Sequence, residues 1–242
     1  MARLPRIQLI DIPQHIIQRG NNRSLCFADE QDFATYAHWL TEYSIKHCVD
    51  IHAWVFMTNH VHLLCTPRMP NAISLLMQSL GRRYVQYFNH KYRRTGTLWE
   101  GRYKSCLIGD VSYLLQVYKY IELNPVRAKM VDEPSQYFWS SYQINALGKQ
   151  SALCTPHPAY KDLGANSLER QKTYQSLFKY QIAPLLIEDI RTSLNKGLAL
   201  GSECFKSKIG QSTGRRVREA KLGRPLGTST QVKPDTHKYI NK

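Results

Sequence analysis

Two apolar segments separated by only two residues limit the fold of this chain most strongly. Residues 51–57 and 60–67 are rich in β-branched, aromatic and other apolar side chains, and the Thr-Asn pair between them is short enough for a β-hairpin. Because side chains alternate along a strand, His60 and His62 lie on the same face of the second strand. Two imidazoles on one face can hold a divalent cation. An isolated pair with this spacing more often belongs to a polar surface, because a metal site needs a third ligand.

The segments around this hairpin predict the element order β-α-β-β-α-β-α. A first strand is expected over residues 15–20 and a fourth over 104–108, while helical spacing of apolar residues predicts helices over 30–47, after Asn71 and from about Val111. The first six elements form the ferredoxin-like pattern, in which two helices cover one face of an antiparallel sheet. The predicted fold class is therefore α+β, with the third helix as an added element and a small helical region after it.

The third predicted helix supplies groups that can complete a metal site. Tyr120 and Asn124 are four residues apart, so they lie one turn above the other on a shared edge of the helix. The Asn124 side-chain oxygen can serve as the third metal ligand beside His60 and His62, and Tyr120 can present its phenol to a phosphate. Taken alone, the tyrosine more often packs and the asparagine, which precedes Pro125, more often ends a helix. Together with the histidine pair they favour a site.

The charge balance indicates a polyanionic partner. The 242 residues include 33 Lys and Arg against 18 Asp and Glu, which gives a net charge of +15, and there are 15 tyrosines. A strongly basic, tyrosine-rich chain most often binds nucleic acid, and a basic but otherwise ordinary enzyme is the alternative. Aromatic side chains interleaved with Arg and Lys can stack on bases and follow phosphates. The predicted DNA contacts are Arg82, Arg83, Arg93, Arg94, Trp99, Arg102, Tyr103, Lys104, Arg215, Arg216 and Arg224.

Three segments of the chain resemble the single-tyrosine HUH transposases, and within them the REP-associated tyrosine transposases with an IS200-like domain. They are residues 54–64 (WVFMTNHVHLL), 96–105 (GTLWEGRYKS) and 120–128 (YIELNPVRA). The resemblance implies single-stranded DNA cleavage beside a hairpin, such as a REP-like palindrome, through a 5′-phosphotyrosine intermediate and with a free 3′-hydroxyl.

The resemblance also assigns roles to individual residues. It implies that Tyr120 is the nucleophile and that His60, His62 and Asn124 hold Mg²⁺ or Mn²⁺, with no nucleotide cofactor. Mixed nitrogen and oxygen ligands suit Mn²⁺ as well as Mg²⁺. The implied partner is single-stranded or hairpin DNA.

Changes in composition divide the chain into three parts. We expect a catalytic domain over residues 1–145, a linker over 146–158, and a helical DNA-binding region with a basic tail over 159–242. The tail contains a Gly-Arg-Pro segment over 223–225 that resembles an AT-hook. A basic tail that binds phosphates without sequence preference explains this composition equally well.

Cysteine usage and hydropathy favour a cytoplasmic, nucleoid-associated protein without a membrane partner. The six cysteines are scattered and form no C-x-x-C pair, which argues against a zinc finger and a disulfide framework. The first residues lack the apolar core of a signal peptide, and no apolar run of about 18 residues is present.

Two questions stay open at the level of sequence. The main alternative to a transposase is a non-catalytic regulator that binds hairpin DNA or RNA. A phosphoesterase with paired H-x-[ST] motifs is disfavoured, because only one H-x-H occurs. The chain can be a monomer or a homodimer, and the third helix can complete the site of its own chain or that of a partner.

Overall fold

The computed structural model describes residues 6–219, and its elements follow the predicted order. The strands are β1 (Gln14–Arg19), β2 (Val49–Met57), β3 (His60–Pro67), β4 (Lys104–Ile108) and β5 (Ala199–Leu200). The helices are α1 (Glu30–Lys46), α2 (Ala72–Lys91), α3 (Val111–Glu122), α4 (Asn124–Arg127), α5 (Tyr142–Asn145), α6 (Pro158–Lys161), α7 (Ser167–Leu177), α8 (Pro184–Lys196) and α9 (Glu203–Thr213). Short 3₁₀ turns lie at Asn21–Arg23 and Pro134–Gln136.

The strands form one sheet in the order β2-β3-β1-β4-β5. The antiparallel pairs β2–β3, β1–β3 and β1–β4 confirm the predicted ferredoxin-like, α+β core. The fifth strand, which pairs in parallel with β4, was not predicted. It has only two residues and lies between Gly197 and Gly201. So short a segment has no periodicity to detect, and only its pairing with β4 makes it a strand.

The register assigns each face of the sheet to one helical layer. Val61 and Leu63 are buried with side chains of α1 and α2, so these two helices cover one face. On β3, His62 pairs with Val55 of β2 and with Ile17 of β1, and both of these neighbours are buried in a second core that includes α3. The face that carries His62 is therefore the face that α3 covers.

Two helix ends follow directly from the local sequence. The Asp29 side chain accepts a hydrogen bond from the Asp32 amide in a capping box, which fixes the beginning of α1. At Leu123 the chain breaks between α3 and α4, and Pro125 stands at the start of α4. Proline is tolerated in the first turn of a helix, so α3 ends there and a new short turn begins.

The C-terminal helices pack into the same core as α3. Tyr160, Tyr174 and Leu194 are buried together with Val117 and Tyr118 of α3. Burial of this apolar surface stabilises the contact between the sheet, α3 and the C-terminal region. The predicted domain limits stay a prediction, and the shared core shows how the two regions are joined.

A buried carboxylate connects α3 to the segments that follow it. Glu122 accepts hydrogen bonds from the Ser141 hydroxyl at 2.5 Å, the Tyr174 hydroxyl at 2.7 Å and the Asn145 amide nitrogen at 2.9 Å. Burial raises the pKa of Glu122 to about 7. Because the site is closed to solvent, these three donors take the place of water around the carboxylate.

The segment that the sequence predicts as a linker is attached to β2. The Thr155 amide donates to the Ile51 carbonyl at 2.7 Å, and the Thr155 carbonyl accepts from Nδ1 of His52, also at 2.7 Å. Nε2 of His52 lies 2.8 Å from the Thr66 hydroxyl. His52 thus ties this segment to the hairpin.

A third, smaller core lies on the other side of β4 and β5. Leu107 and Ala199 pack there with Ile209 of α9, Val217 and the N-terminal segment around Ile7. Within residues 6–219, no helix is both long enough and apolar enough to cross a membrane.

Candidate active site

The histidine pair is held in one orientation by hydrogen bonds at Nδ1. The two ring centroids are 5.1 Å apart. Nδ1 of His60 donates to the Asn59 side-chain oxygen at 2.6 Å, and Nδ1 of His62 lies 2.9 Å from Nε2 of His15. These bonds leave Nε2 of both His60 and His62 as the nitrogen that can bind a ligand.

Both rings of the pair are neutral at neutral pH. Burial lowers the pKa of His60 to about 4, and the charge of Arg19 lowers it further. Burial likewise lowers the pKa of His62 well below its usual value, with smaller contributions from neighbouring positive groups. A neutral imidazole is the form that binds a metal ion, so the environment prepares both rings for that role.

The structure adds His15, which sequence reasoning did not select. The side chain of His15 is fully buried, and burial lowers its pKa to about 3. Besides its bond to His62, its ring centroid is 5.7 Å from that of Tyr120, in an edge contact. In the sequence His15 is only one residue of the first strand. The pairing of β1 with β3 is what places it beside the histidine pair.

Tyr120 reaches the histidine pair within the same chain. Its ring centroid is 5.9 Å from that of His62, and only 4% of the residue is exposed. α3 brings it there because the helix packs across β2 and β3 on the face that carries His62. The structure thus joins His60, His62 and Tyr120, which are far apart in sequence.

Arg127 is a second residue of this site that sequence reasoning did not select. Its guanidinium carbon lies 4.6 Å from the centre of the Tyr120 ring, and its charge lowers the pKa of His62. Its Nη1 is buried without a hydrogen-bond partner among the described residues. No local pattern indicates this contact, because the helix that carries Tyr120 ends at Glu122 and Arg127 belongs to α4.

Asn124 lies at the junction of α3 and α4. Its side-chain nitrogen donates to the carbonyls of Tyr120 at 2.9 Å and Ile121 at 3.1 Å, so the amide caps the end of α3. These bonds use the nitrogen and leave the oxygen for another partner. Its role as a metal ligand stays a prediction.

The donor atoms fit a divalent cation with mixed ligands. Over the part of the chain that the structure describes, no group of three His, Cys, Asp or Glu side chains is arranged to hold a metal ion. The candidate donors are two neutral imidazole nitrogens and the side-chain oxygen of Asn124, whose side-chain nitrogen donates to the Tyr120 carbonyl. This set is compatible with Mn²⁺ and Mg²⁺.

Several predicted DNA contacts lie away from the histidine pair. Arg82 and Arg83 belong to α2, in the helical layer on the other face of the sheet. Arg83 forms an ion pair with Glu42 at 2.9 Å. Arg93 and Arg94 follow the end of α2, and the structure brings none of these four arginines to Tyr120.

Trp99 and Tyr103 are buried in this structure, and their role in DNA binding stays a prediction. Each residue is only 6% exposed. Trp99 packs in the first core, 6.0 Å from the Tyr84 ring, and the Tyr103 ring is covered by the Arg6 guanidinium at 3.6 Å. Stacking on a base needs an exposed ring face, and both rings are covered by other side chains here.

Four other predicted contacts come together in one cleft. Arg102 and Lys104 at the start of β4, and Arg215 and Arg216 after α9, line the same cavity. Arg224 and the Gly-Arg-Pro segment around it lie outside the described residues.

The fold and this site can be compared with known proteins. A ferredoxin-like sheet presents a histidine pair to a tyrosine on the following helix within one chain. Residues 9–124, just under half of the chain, match the family described as transposase IS200 like.

Comparison with solved structures agrees with this fold. A REP-associated tyrosine transposase, solved bound to a REP hairpin, aligns with a TM-score of 0.51 and 18% identity, over 65% of this chain and 93% of that chain. A candidate transposase from Deinococcus radiodurans aligns with a TM-score of 0.35 and 23% identity, over 50% of this chain and 96% of its own. The tRNA(His) guanylyltransferase of Saccharomyces cerevisiae gives a TM-score of 0.36 and 14% identity, over 74% and 82%. The last two scores are below 0.5, so the fold assignment rests on the first structure. No curated protein matches the sequence.

Proposed function

We propose that this protein cuts and rejoins single-stranded DNA beside hairpins, with Tyr120 as the nucleophile. The observation that carries the proposal is the contact of the Tyr120 ring with the His62 ring within one chain, 5.9 Å apart between centroids. The structural neighbour that was solved with a REP hairpin supports hairpin DNA as the substrate class.

The proposed cleavage step exchanges one phosphodiester bond for another, so it needs no nucleotide cofactor as an energy source. The Tyr120 oxygen attacks phosphorus, the bond from phosphorus to the 3′ oxygen breaks, and a 5′-phosphotyrosine forms. The phenol loses one proton and the departing 3′ oxygen gains one. Since one phosphodiester replaces another, a 3′-hydroxyl can later reverse the step and rejoin a strand.

The proposed metal ligands are Nε2 of His60, Nε2 of His62 and the side-chain oxygen of Asn124. A bound Mg²⁺ or Mn²⁺ would polarise the scissile phosphate and offset its charge. His15 orients one of these ligands, His62. Its Nε2 accepts from Nδ1 of His62, which selects the tautomer of His62 whose Nε2 carries the lone pair.

We assign Arg127 to the DNA phosphate beside Tyr120. A guanidinium forms charge-assisted hydrogen bonds with phosphate oxygens, and Nη1 of Arg127 has no protein partner among residues 6–219. Its position over the Tyr120 ring also places a positive charge 4.6 Å from the ring centre, which favours the negative charge that develops on the phenol. Arg127 thus contributes to binding and to charge stabilisation in the transition state.

The test is the formation of a covalent adduct with a hairpin-containing single strand in the presence of Mg²⁺ or Mn²⁺. We expect the wild-type protein to give a band of protein linked to DNA on a denaturing gel, and Tyr120→Phe to give none while it binds the same DNA. Cleavage by Tyr120→Phe contradicts the assignment of the nucleophile. Tight hairpin binding by the wild type without any adduct instead identifies a non-catalytic regulator of hairpin DNA or RNA.

A further inference from the structure

A cationic cleft opens beside β4, where the sheet meets the C-terminal region. β5 pairs only with Leu107 and Ile108, the last two residues of β4, so the first residues of that strand form the floor of the cleft. Its volume is about 160 Å³. Among the described residues, no acidic side chain lines it, and the cationic ones are Arg6, Arg102, Lys104, Lys196, Arg215 and Arg216.

Backbone contacts hold these cations in place from distant parts of the chain. Arg6 donates from Nε and Nη2 to the Tyr103 carbonyl, at 3.0 and 2.8 Å. The Ala199 amide donates to the Val217 carbonyl at 3.0 Å, which holds the segment next to Arg215 and Arg216 against β5. The cleft is therefore a defined feature of the tertiary structure and not a random accumulation of surface charge.

One side of the cleft is formed by the end of α8. The Lys104 ammonium donates to the Asn195 side-chain oxygen at 2.9 Å. Gly197 ends α8 with φ +67°, and a Cβ there would lie 3.6 Å from the Ser105 carbonyl. Lys196, in the last turn of α8, forms an ion pair with Glu219, so its charge is partly offset.

The cleft continues toward the active site along the sheet. Ile17 of β1 pairs with His62 on one side and with Lys104 on the other, so His62 and Lys104 lie in one row on the same face. Two strand spacings separate them by roughly 10 Å. Between the two sites lies a second cavity of about 120 Å³, lined by Arg19, Arg102 and Lys104 together with Glu100, its one acidic side chain among the described residues.

We propose that the cationic cleft binds the phosphates of a single-stranded DNA segment that leaves the active site across β1 and β4. The inference rests on the proposed function and extends it to the path of the strand. A volume of about 160 Å³ is smaller than a typical small-molecule pocket, which suits the phosphates of one strand and not a duplex. Five cations line the cleft besides the ion-paired Lys196, and together they attract a polyanion through several weak contacts.

The experiment compares hairpin DNA with and without single-stranded flanks, in EDTA so that no cleavage occurs. The variant is Arg215→Ala with Arg216→Ala, two residues outside the proposed catalytic machinery. At about 0.1 M salt we expect its Kd for the flanked hairpin to rise on the order of tenfold, and the slope of log Kd against log salt to fall by about 1.4, which is two phosphate contacts on a single strand. For the hairpin without flanks, Kd should change less than about twofold.

Two control proteins separate the cleft from general charge and from misfolding. Lys161→Ala with Lys172→Ala removes the same charge from exposed positions of α6 and α7, and its affinities should equal those of the wild type. Arg215→Lys with Arg216→Lys keeps the charge and should keep most of the affinity. An equal loss for both DNAs, or no loss for either, overturns the proposal.

The same proteins distinguish a failure of this inference from a failure of the proposed function. With saturating flanked DNA and metal, the wild-type protein should form the covalent adduct, because it carries Tyr120 and the histidine pair. If wild-type protein forms no adduct but shows the flank-dependent loss of affinity, the cleft binds a strand in a non-catalytic protein. If the adduct forms and the flanks have no effect, the strand path is wrong and the chemistry stands.

Discussion

Nε2 of His15 lies 2.9 Å from Nδ1 of His62, between two rings that are both buried. Neither ring has water to replace this bond, so each depends on the other for its tautomer. Nδ1 of His15 has no hydrogen-bond partner among residues 6–219. An unpaired buried group costs about 1–3 kcal/mol, and its presence next to the proposed metal ligands is typical of a functional site.

Replacement of His15 should weaken metal binding without a loss of DNA binding. We expect His15→Ala to lower the affinity for Mn²⁺ by roughly 10–100-fold, because His62 loses the partner that orients it. His15→Gln keeps an acceptor oxygen for Nδ1 of His62 and should recover part of that loss. The measurement is calorimetric titration of Mn²⁺ into the metal-free proteins.

Hairpin affinity in EDTA is the control for the His15 variants. It should equal that of the wild type, since the DNA-binding surface is not altered. Wild-type affinity of His15→Ala for Mn²⁺ excludes the positioning role, whatever happens to the rate of cleavage.

Replacement of Arg127 should slow the chemical step. Arg127→Gln removes the charge beside Tyr120, and a lost charge-assisted hydrogen bond of about 1.5–3 kcal/mol corresponds to roughly a 10–100-fold lower rate of adduct formation. Arg127→Lys keeps the charge but not the planar guanidinium, so its rate of adduct formation should lie between those of the wild type and Arg127→Gln. The rate is measured in a single turnover with saturating hairpin DNA.

Lys129→Gln is the matched control for Arg127. It removes one positive charge from an exposed residue two positions further along the chain. If this variant and Arg127→Gln slow adduct formation equally, the effect belongs to net charge and Arg127 has no special role.

A mixture of two inactive variants reports whether one chain completes the site. Tyr120 and His62 of the same chain are in contact. In each variant, therefore, every site lacks either the tyrosine or one histidine. We expect a refolded mixture of Tyr120→Phe and His62→Ala to remain inactive. Recovery of about a quarter or more of the wild-type adduct would show that the tyrosine of one chain serves the histidines of another.

His52 should make the stability of the fold depend on pH. Burial lowers the pKa of His52 to about 4, below its ordinary value near 6.5. The folded state therefore favours the neutral ring, and its contribution to stability is complete above about pH 6.5 and is lost as the pH falls toward 4. At about pH 5 this loss amounts to roughly 2 kcal/mol.

The comparison is with His52→Gln, which can still bond Thr66 and the Thr155 carbonyl. At pH 7.5 we expect this variant to be less stable by about 1 kcal/mol. Between pH 7.5 and 5 the wild type should lose roughly 2 kcal/mol more than the variant, measured by urea unfolding. Parallel loss in both proteins would assign the pH dependence to other groups, such as the buried His15 and His62.

Elements with a local pattern could be predicted from the sequence. The hairpin of β2 and β3 follows from two apolar segments with a two-residue connection, and α1 begins at Asp29 because the capping box lies within four residues. The common face of His60 and His62 follows from the two-residue period of a strand. The position of Tyr120 on α3 follows from the helical period in the same way.

Contacts between residues of different elements could be seen only in the tertiary structure. His15 reaches His62 only through the pairing of β1 with β3, and no pattern within β1 predicts a partner on another strand. Trp99 and Tyr103 have the pattern of stacking residues in the sequence, yet both are buried, because a large aromatic side chain is stabilised in a packed core. The cationic cleft arises because β5 pairs with β4, a contact between residues about 90 positions apart. A two-residue strand is too short to show a pattern that predicts this pairing.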